Sequence, residues 1–551
     1  MPAASSPRLR FVPLGGLGEI GANCFALEQD DGILVVDCGT SFPQNDIGID
    51  VVHPDFRWLE QNRHRISGLV LTHAHEDHIG AVPYFLRAIE APIWGPAHAL
   101  ELVKHRLAEH DIREHEVDLR PAPSGTRYAV GPFTVEPVRV AHSIVEASAL
   151  CIDTCAGTVV HTGDFNLDPE PPDGEPTDVE RLKAIGERGV RLLFSDSTNI
   201  DVPERPGSER AVGETLHRLI AEAPKCVVVA MFASNVQRLL MVGKIAQATG
   251  RKICLLGRSL GVHVDVARRI GRLDWPSNLV IGAEHLENQR RDKVLVLAGG
   301  TQGEGVSAMR RLASQTHQQL RLEAGDTVIH SARVIPGNER VVHDMFCDLL
   351  RQGVRLHTRH SDPGVHTSGH AGRSEQAQMI EWLRPRAFVP VHGTLHHLRR
   401  HAELARSLGV PETLVVENGT PVAVDADGIR RDAAVVHGKV NIAYGGEVLE
   451  PETAKRRADL GRYGVVVVSL VLSSNRRVVL ASKVEARGVP TLDEQPGACR
   501  SVEREIRSSL EHLGGASLEL VETEVRRAAR RAILESTGLR PVLFVHVLSE
   551  Q

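Results

Sequence analysis

Apolar and polar residues follow different patterns in successive parts of the chain. Up to about residue 200, short apolar runs such as residues 66–71 are separated by polar or glycine-rich turns, a pattern typical of buried strands. From about residue 202 to 362, apolar strands alternate with helical stretches, which predicts a parallel sheet with crossover helices. The predicted strands of this part are residues 226–232, 253–256, 294–298 and 328–330.

The last part of the chain has a third pattern. Residues 465–480 alternate between apolar and polar positions, amphipathic helices are predicted at about 500–513 and 521–535, and a strand at 542–547. At 551 residues the chain is too long for one ordinary core, so we predict an α/β protein of several domains. The predicted boundaries are a disordered tail at 1–9, a first domain at 10–201, an inserted domain at 202–362, the return of the first domain at 363–440, a linker at 441–463 and a C-terminal domain at 464–551.

Composition narrows the class of protein. With 42% hydrophobic and 24% charged residues, the chain is typical of globular proteins, and its net charge of −6 provides no global field that attracts polyanions. Any nucleic-acid contact would therefore need a local basic groove or bound cations. The eight cysteines are scattered in mostly apolar runs, as reduced core residues are. No apolar run reaches the roughly 20 residues that span a bilayer, so we expect a cytoplasmic protein without membrane contact.

The strongest chemical signal is the histidine-rich segment at residues 71–80. On an extended segment, His73 and His75 project from the same side, while Asp77 and His78 would leave at the first turn of a helix predicted at 79–89. Imidazole and carboxylate groups directed at two nearby points suit two metal ions, the arrangement used to hydrolyse phosphodiesters and amides. A solvated histidine-rich loop is the simpler alternative, and further ligand candidates downstream disfavour it.

Two other segments near the N-terminus need an interpretation. Gly16, Gly18 and Gly21 match a dinucleotide-binding fingerprint, but a predicted hairpin follows them instead of the required helix, so we exclude that site. Asp37 ends a buried strand, where a lone carboxylate would be costly; a carboxylate that orients a ligand histidine explains it. Residues 46–50 begin and end with aspartate, a pattern typical of a surface turn.

Further polar residues follow apolar strands downstream, namely His142, Asp164, Asp196 and His392. Taken singly, each is more often structural than a ligand. Small residues precede predicted helices at 232–236, 299–304 and 335–339, and their backbone N–H groups suit phosphate, although ordinary strand-to-helix turns have the same composition. The segment 366–370 adds hydroxyl and imidazole donors.

Taken together, these motifs resemble the metallo-β-lactamase fold, and the later segments resemble the β-CASP nucleases, most closely the bacterial ribonuclease J family. The resemblance covers about residues 10–551. It implies a metallo-β-lactamase αββα sandwich, an inserted β-CASP parallel α/β domain and a small C-terminal α/β domain.

The resemblance also implies a metal site with two divalent ions, zinc or manganese. One ion would be held by His73, His75 and His142, the other by Asp77, His78 and His392, with Asp164 bridging both. Asp37 matches an aspartate that supports a ligand histidine. Residues 46–50 are similar to a segment that contributes to an additional structural cation site in some relatives.

Catalytic and substrate-binding residues follow from the same resemblance. Asp77, Asp196 and His370 would be catalytic, with His370 stabilising or protonating the transition state beside a water activated by the two cations. A pocket for a terminal 5′ phosphate would involve Ser234, Asn235, Val236, His366, Thr367, Ser368, Gly369 and His370.

The expected activity is that of a metal-dependent ribonuclease. We expect 5′-to-3′ exonuclease action on single-stranded RNA with a 5′ monophosphate, endonuclease cuts as a second activity, and a role in RNA maturation and decay, including rRNA processing and mRNA decay. Relatives suggest a homodimer, or a tetramer built from it, and protein partners in RNA decay. Arg526, Arg527, Arg530 and Arg531 lie together on a C-terminal helix, where a solvated face is the simpler interpretation and RNA contact the other.

Alternatives of other classes remain open. A β-CASP nuclease acting on DNA would share every metal motif. A small-molecule thioester or lactam hydrolase is disfavoured by the inserted domain, and a non-catalytic RNA-processing assembly subunit by the presence of all seven ligands. Two departures from the family pattern, Thr301 where a serine is usual and Thr394 where a glutamate is usual, concern phosphate and supporting contacts.

Overall fold

The computed structural model describes residues 8–30, 32–41, 47–335, 337–474, 479–495 and 497–550. Contacts divide the chain into two compact units: Met1–Gln44 with Val52–Lys439, and Asn45–Val51 with Val440–Gln551. Most of the predicted tail, and Asp46 of the predicted cation segment, lie outside the described residues. Leu9, which we had placed in the tail, is fully buried as the first residue of a strand.

The chain up to residue 201 consists mainly of strands joined by short helices. The strands are β1 (Leu9–Gly15), β2 (Leu17–Gly18), β3 (Cys24–Gln29), β4 (Gly32–Val36), β5 (Ile49–Pro54), β6 (Ile66–Val70), β7 (Ile93–Gly95), β8 (Leu119–Pro121), β9 (Tyr128–Val130), β10 (Phe133–Arg139), β11 (Ser148–Thr154), β12 (Gly157–His161) and β13 (Leu192–Asp196). The helices are α1 (Arg57–Gln61), α2 (Glu76–Ile79), α3 (Val82–Ala88), α4 (Ala97–Glu109) and α5 (Val179–Arg188).

The predicted helix at 79–89 is instead two helices, α2 and α3. The N–H group of Ala81 donates to Cys38 O at 2.9 Å, so it leaves the helical hydrogen-bond pattern. Pro83 lies in the first turn of α3, where its missing N–H costs nothing. The break leaves Asp77 and His78 on the short helix α2, ahead of α3.

The inserted part of the chain forms a separate layer. Its strands are β14 (Val227–Ala230), β15 (Lys252–Leu256), β16 (Val280–Ile281), β17 (Val294–Ala298), β18 (Thr327–His330) and β19 (Arg355–His357), and its helices are α6 (Glu209–Glu222), α7 (Val236–Ala248), α8 (Arg258–Arg269), α9 (Ala308–Ala313) and α10 (Glu339–Arg351). The sheet order is β16-β15-β17-β14-β18-β19, and all pairings are parallel. This confirms the predicted parallel sheet with crossover helices.

The chain then returns to the first domain. This part contains α11 (Arg373–Leu383), β20 (Ala387–Val391), β21 (Gly393–Thr394), α12 (Leu395–Ser407), β22 (Glu412–Thr413), β23 (Val422–Asp425) and β24 (Gly428–Arg431). Two large sheets result, with orders β24-β23-β1-β3-β4-β6-β7-β8 and β22-β20-β13-β12-β11-β10-β9. Strand β20 pairs in parallel with β13, so the insertion begins and ends at neighbouring strands.

Apolar side chains of the two large sheets form one core. Phe11 and Phe25 of one sheet pack against Phe194 of the other, with ring centroids 4.3 and 5.7 Å apart. On the outer faces, α3 and α4 cover the first sheet, while α5, α11 and α12 cover the second. The arrangement is the αββα sandwich that the resemblance implies.

The C-terminal unit has a small sheet covered on one face. It follows the hairpin β25 (Lys439–Ala443) and β26 (Val448–Leu449) and contains α13 (Pro451–Tyr463), β27 (Val465–Leu472), β28 (Val479–Arg487), α14 (Pro490–Glu494), α15 (Ala498–Leu510), α16 (Leu518–Thr537) and β29 (Val542–Ser549). Strand β27 lies between β28, which is antiparallel to it, and β29, which is parallel. The stretch predicted as a linker contains β26 and α13. Across the described residues, every helix is too short or too polar to traverse a lipid bilayer.

Candidate metal centre

The ligand candidates lie where strands end. Strands β12, β13 and β20 are parallel neighbours, so their carboxyl ends meet at one edge of the sheet. Asp164 follows β12, Asp196 is the last residue of β13, and His392 follows β20. The histidine-rich segment follows β6 of the other sheet, and His75 directly precedes α2.

The first cluster consists of His73, His75, His142 and Asp164, whose ligand atoms all lie within 4.8 Å of one another. His75 Nδ1 is 3.1 Å from His73 Nε2 and 3.1 Å from His142 Nε2. Asp164 Oδ2 is 3.7 Å from His73 Nε2 and 3.9 Å from His142 Nε2. The family resemblance implies the same group, with three histidines around one ion and Asp164 bridging it to a second.

The second cluster consists of Asp77, His78, Asp164 and His392, within the same 4.8 Å limit. Asp164 Oδ2 is 3.2 Å from His78 Nε2, and Asp77 Oδ2 is 3.4 Å from His392 Nε2. A third group joins Asp164 and His392 to Asp196 and His370. Asp164 belongs to all three groups and therefore connects them.

Supporting hydrogen bonds fix the ring orientations. His78 Nδ1 donates to Asp37 Oδ2 at 2.8 Å, and Asp37 also accepts from Thr72 N at 2.8 Å. His142 Nδ1 donates to Gly369 O at 2.7 Å. In both histidines Nδ1 donates its proton to a group outside the clusters. The lone pair of Nε2 therefore points into the clusters. Asp37 therefore has the position that its burial in a strand end had suggested.

Backbone strain accumulates beside the same atoms. Asp37 and His392 have positive φ angles of 56° and 50°, which non-glycine residues seldom adopt. At Gly39, a Cβ atom would lie 1.7 Å from Asp77 O, so no larger residue fits against the helix start. Left-handed backbone turns and close backbone contact together allow loops from both sheets to meet at the ligand candidates.

The donor set fits divalent cations. Because Asp164 Oδ1 accepts the Nδ1 proton of His392 at 2.8 Å, the lone pair of His392 Nε2 is directed towards Asp77 Oδ2. That Nε2 is buried and has no hydrogen bond to any described residue. Facing lone pairs of histidine nitrogens and carboxylate oxygens repel one another unless a cation lies between them. Nitrogen and oxygen ligands of this kind suit zinc or manganese.

The protonation states agree with this fit. Burial lowers the pKa of His73 and His75 well below the usual value, and that of His142 to about 4, which keeps these imidazoles neutral. Around His392, burial opposes a positive charge, but Asp164 and Asp77 outweigh it and raise the pKa to about 10, so Nε2 carries a proton unless a cation takes that position. The first cluster thus offers neutral ligands, and the second favours positive charge.

His370 lies beside the clusters on the loop at 366–370. Its Nδ1 donates to Asp196 Oδ2 at 2.8 Å, which leaves Nε2 for another partner. Burial opposes its protonation, yet Asp196 and Asp164 raise its pKa above the usual value. Asp196 Oδ1 in turn accepts from Thr198 N at 2.9 Å. A half-buried, readily protonated imidazole therefore lies next to the ligand candidates.

The rest of this loop is held from both domains. Ser368 Oγ accepts from Asn199 Nδ2 at 2.8 Å, and Gly369 is so close to His142 that a Cβ would lie 2.9 Å from its Cε1. Thr367 is 7% exposed, with its hydroxyl unpaired among the described residues. His366 Nδ1 is 3.1 Å from Arg238 of the inserted domain.

The predicted residues at 234–236 are placed differently from one another. Ser234 is half-buried. Asn235 is 3% exposed, caps α7 by accepting from Arg238 N, and donates to Glu209 Oε1 at 3.2 Å. Val236 is fully buried. The side chains of Asn235 and Val236 are thus buried in the protein interior. A substrate contact at this turn would have to use Ser234 or the backbone.

Sequence reasoning missed Asn23, Asn199 and Arg238. Asn23 Nδ2 lies 3.2 Å from Asp77 O and 3.0 Å from His78 Nε2. Arg238 is completely buried and forms an ion pair with Glu209 at 2.7 Å. Asn23 lies two residues after Gly21 and Asn199 three residues after Asp196, so their positions beside these residues were an available signal. Arg238 lies within an ordinary helix and gave none.

The two departures from the family pattern have local partners. Thr301 O accepts from His330 Nε2 at 2.9 Å, and Thr301 Oγ1 accepts from Gln302 Nε2 at 3.1 Å. Thr394 Oγ1 is 3.2 Å from His397 Nδ1.

Four family models match successive parts of the chain. They describe the metallo-β-lactamase superfamily at residues 17–212, the ribonuclease J β-CASP domain at 224–349, a Zn-dependent metallo-hydrolase RNA specificity domain at 363–418, and the ribonuclease J C-terminal domain at 454–549. Their order agrees with the sandwich, the inserted sheet, the return and the C-terminal unit.

Individual relatives extend over nearly the whole chain. Ribonuclease J of Helicobacter pylori is 33% identical over 558 residues, covering 99% of this chain and 80% of that protein. Ribonuclease J of Mycobacterium tuberculosis is 37% identical over 553 residues, covering 99% and 98%. A crystal structure of an Enterococcus faecalis protein of unknown function, 19% identical, covers 76% of this chain and 100% of its own with a TM-score of 0.54, a likeness in fold alone. Since identity above 30% extends over nearly all of both chains and two of the matching models are specific to ribonuclease J, this chain belongs to the ribonuclease J family of the metallo-β-lactamase superfamily.

Proposed function

We propose that this chain is a 5′-to-3′ exoribonuclease that prefers single-stranded RNA with a 5′ monophosphate and also cuts internally. As a member of its family, it is a metal-dependent hydrolytic ribonuclease that acts on RNA and uses divalent metal. The observation that supports the finer proposal is the position of the loop at 366–370, which lies between the shared carboxylate Asp164 and the inserted domain. A phosphate held by this loop would place the next phosphodiester beside the clusters.

We assign two divalent ions, zinc or manganese, to the two clusters that share Asp164. His73, His75 and His142 would hold one, and Asp77, His78 and His392 the other. When bound, such ions activate water and neutralise charge that develops on the transferring phosphoryl group. Asp37 and Gly369 keep the histidine rings oriented by accepting their outward protons.

His370 is assigned the proton-transfer role. Because Asp196 accepts its Nδ1 proton, Nε2–H is free to donate to an oxygen of the reacting phosphodiester. Asp196 holds the ring, and Asp77 and Asp164 supply the negative charge that keeps cations in place. Ser368 and the backbone around Gly369 would take no part in proton transfer. They would only orient the phosphate through hydrogen bonds.

The activity is tested with one RNA sequence prepared with a 5′ monophosphate, a 5′ triphosphate and a 5′ hydroxyl, beside the DNA equivalent. With manganese we expect release of 5′ mononucleotides from the monophosphate RNA at least about tenfold faster than from the others, because only the single terminal phosphate fits a pocket one nucleotide from the clusters. Excess chelator should stop the release. Equal cleavage of DNA, or internal fragments irrespective of the 5′ end, would contradict the proposed exonuclease preference.

We also propose a homodimer formed through the C-terminal unit. Helices α15 and α16 cover one face of its sheet, and on the other face Phe544 and Leu548 are 50% and 61% exposed. Val467 and Val471 pair with these two residues and continue the apolar face. An apolar face of this kind on a folded unit is typical of an interface.

The expected result is a dimer at micromolar concentration in size-exclusion chromatography with light scattering. Phe544→Glu should yield a monomer, because it would bury a charge at the centre of the contact. Leu520→Glu on α16 is the matched control, since Leu520 is 51% exposed on the helical side. A wild-type chain that stays monomeric would exclude the homodimer.

A further inference from the structure

An arginine of the inserted domain is linked through Asn199 to the loop that carries His370. Arg333 follows β18, and its NH1 group donates to Asn199 Oδ1 of the first domain at 2.8 Å. Its backbone carbonyl accepts from Gln302 Nε2 at 2.9 Å, and Gln302 is 7% exposed. Hydrogen bonds therefore fix Arg333 both at its backbone carbonyl and at its guanidinium group.

Asn199 connects Arg333 to the candidate active site through hydrogen bonds. It is 2% exposed, and its Nδ2 group donates both to Ser368 Oγ at 2.8 Å and to His370 O at 3.0 Å. The amide thus has its oxygen on Arg333 and both protons on the loop. A displacement of Arg333 would therefore shift Asn199 and, through it, Ser368 and His370.

Arg333 has positive charge without a carboxylate partner. Within residues 8–550 as described, no Asp or Glu lies within ion-pair distance of Arg333 or of Arg359, and both arginines are exposed. By contrast, Arg310 and Arg291 of the same domain pair with Asp348 and Asp326. Toward the residues that the structure describes, Arg333 uses one of its five N–H donors, which leaves most of its guanidinium available to a ligand.

Arg359 and Arg333 lie near enough to His366 for their charges to affect its protonation. Burial lowers the pKa of His366 well below its usual value, and Arg238, Arg359 and Arg333 lower it further. Partial burial, and then Arg359, lower the pKa of Arg333 as well. Arg238 is compensated by its ion pair with Glu209. The charges of Arg333 and Arg359 have no such partner among the described residues, and this local excess of positive charge favours an anion.

We propose that Arg333 binds a phosphate group of the RNA substrate and, through Asn199, holds the loop with Ser368 and His370 in position. This inference rests on the proposed function, because RNA supplies the phosphate. A planar guanidinium with free donors suits a phosphate oxygen pair. The phosphate is either the terminal one or an internal phosphodiester, which have the same chemistry for this contact.

The test compares Arg333→Gln, Arg333→Lys and Arg333→Ala in the full-length metal-loaded enzyme. Steady-state cleavage of single-stranded RNA is measured at several salt concentrations. For Arg333→Gln we expect KM to rise about tenfold, and the slope of log(kcat/KM) against log(salt) to become shallower by about 0.7, the value for one phosphate contact on a single strand. Arg333→Lys should keep the wild-type slope because it keeps the charge, and Arg333→Ala should also lower kcat because Asn199 loses its partner.

Arg290→Ala is the matched control. Arg290 is exposed, pairs with Asp292 and precedes the amino end of β17, whereas Arg333 follows the carboxyl end of β18. It should leave KM and the salt slope unchanged. A loss in Arg333→Gln restricted to 5′-monophosphate RNA assigns the terminal phosphate, and a loss that includes 5′-hydroxyl RNA assigns an internal one. Wild-type KM and salt slope in both Arg333→Gln and Arg333→Ala would overturn the inference. A wild-type enzyme that cleaves no RNA would instead overturn the proposed function.

Discussion

Replacement of Asp164 by alanine is expected to lower RNA cleavage by at least about 10³-fold, or about 4 kcal/mol of transition-state stabilisation. Asp164 contacts His392 through one oxygen at 2.8 Å and His78 through the other at 3.2 Å, and it belongs to every cluster of ligand candidates. Its removal would weaken both proposed ion sites together. Initial rates on a 5′-monophosphate RNA, with metal content by mass spectrometry, provide the measurement.

Comparison with His75→Ala makes this expectation sharper. His75 belongs to the first cluster alone, so its variant should lose one ion per chain and lack turnover, whereas Asp164→Ala should lose both. Asp118→Ala, which removes an exposed carboxylate paired with Arg120, should retain full activity and metal. Circular dichroism establishes that each variant is folded. Retained turnover in folded His75→Ala would refute the ligand assignment.

Glu209→Ala is expected to destabilise the protein by about 3–5 kcal/mol, because it leaves the charge of Arg238 buried and unpaired. Glu209 accepts from Arg238 NH2 at 2.7 Å and from its Nε at 3.3 Å, and Arg238 is 0% exposed. The same guanidinium contacts His366, so the RNA pocket should be disturbed as well. Thermal or urea unfolding of the metal-loaded chain gives the change in stability.

Two controls separate this mechanism from general sensitivity to substitution. Glu170→Ala breaks a 2.7 Å pair with Arg210 in which both side chains are at least 60% exposed, so it should cost less than about 1 kcal/mol. The double variant Glu209→Leu with Arg238→Met removes both charges and should recover most of the loss. If the double variant is no more stable than Glu209→Ala alone, the buried charge is not the cause.

The ligand candidates could be predicted because each follows a recognisable strand. His73, His142, Asp164 and His392 all come after apolar runs, and the carboxyl ends of neighbouring strands meet at one sheet edge. Parallel pairing of the inserted strands was equally readable from the alternation of strands and helices. Both features depend on local pattern, which the sequence displays directly.

The contacts that organise the site could not be read in the same way. Arg333 reaches Asn199 across 134 residues, and Arg238 reaches His366 across 128. Such pairs are fixed by how the inserted domain packs on the first, which no local pattern encodes. Asn235 illustrates the converse, since its motif suggested a phosphate contact whereas its side chain is used to cap α7.

The parallel pairing of β13 with β20 has a consequence for the order of assembly on the ribosome. The register joins Leu192 to Ala387, so β13 acquires β20 as its neighbour only after 195 further residues have been synthesised. His392 follows that strand directly. The first cluster can form in a nascent chain long before the second, and closing this long loop is a slow, nonlocal folding step. A translating ribosome therefore holds an incomplete nuclease until the segment with His392, which follows the inserted domain, has emerged.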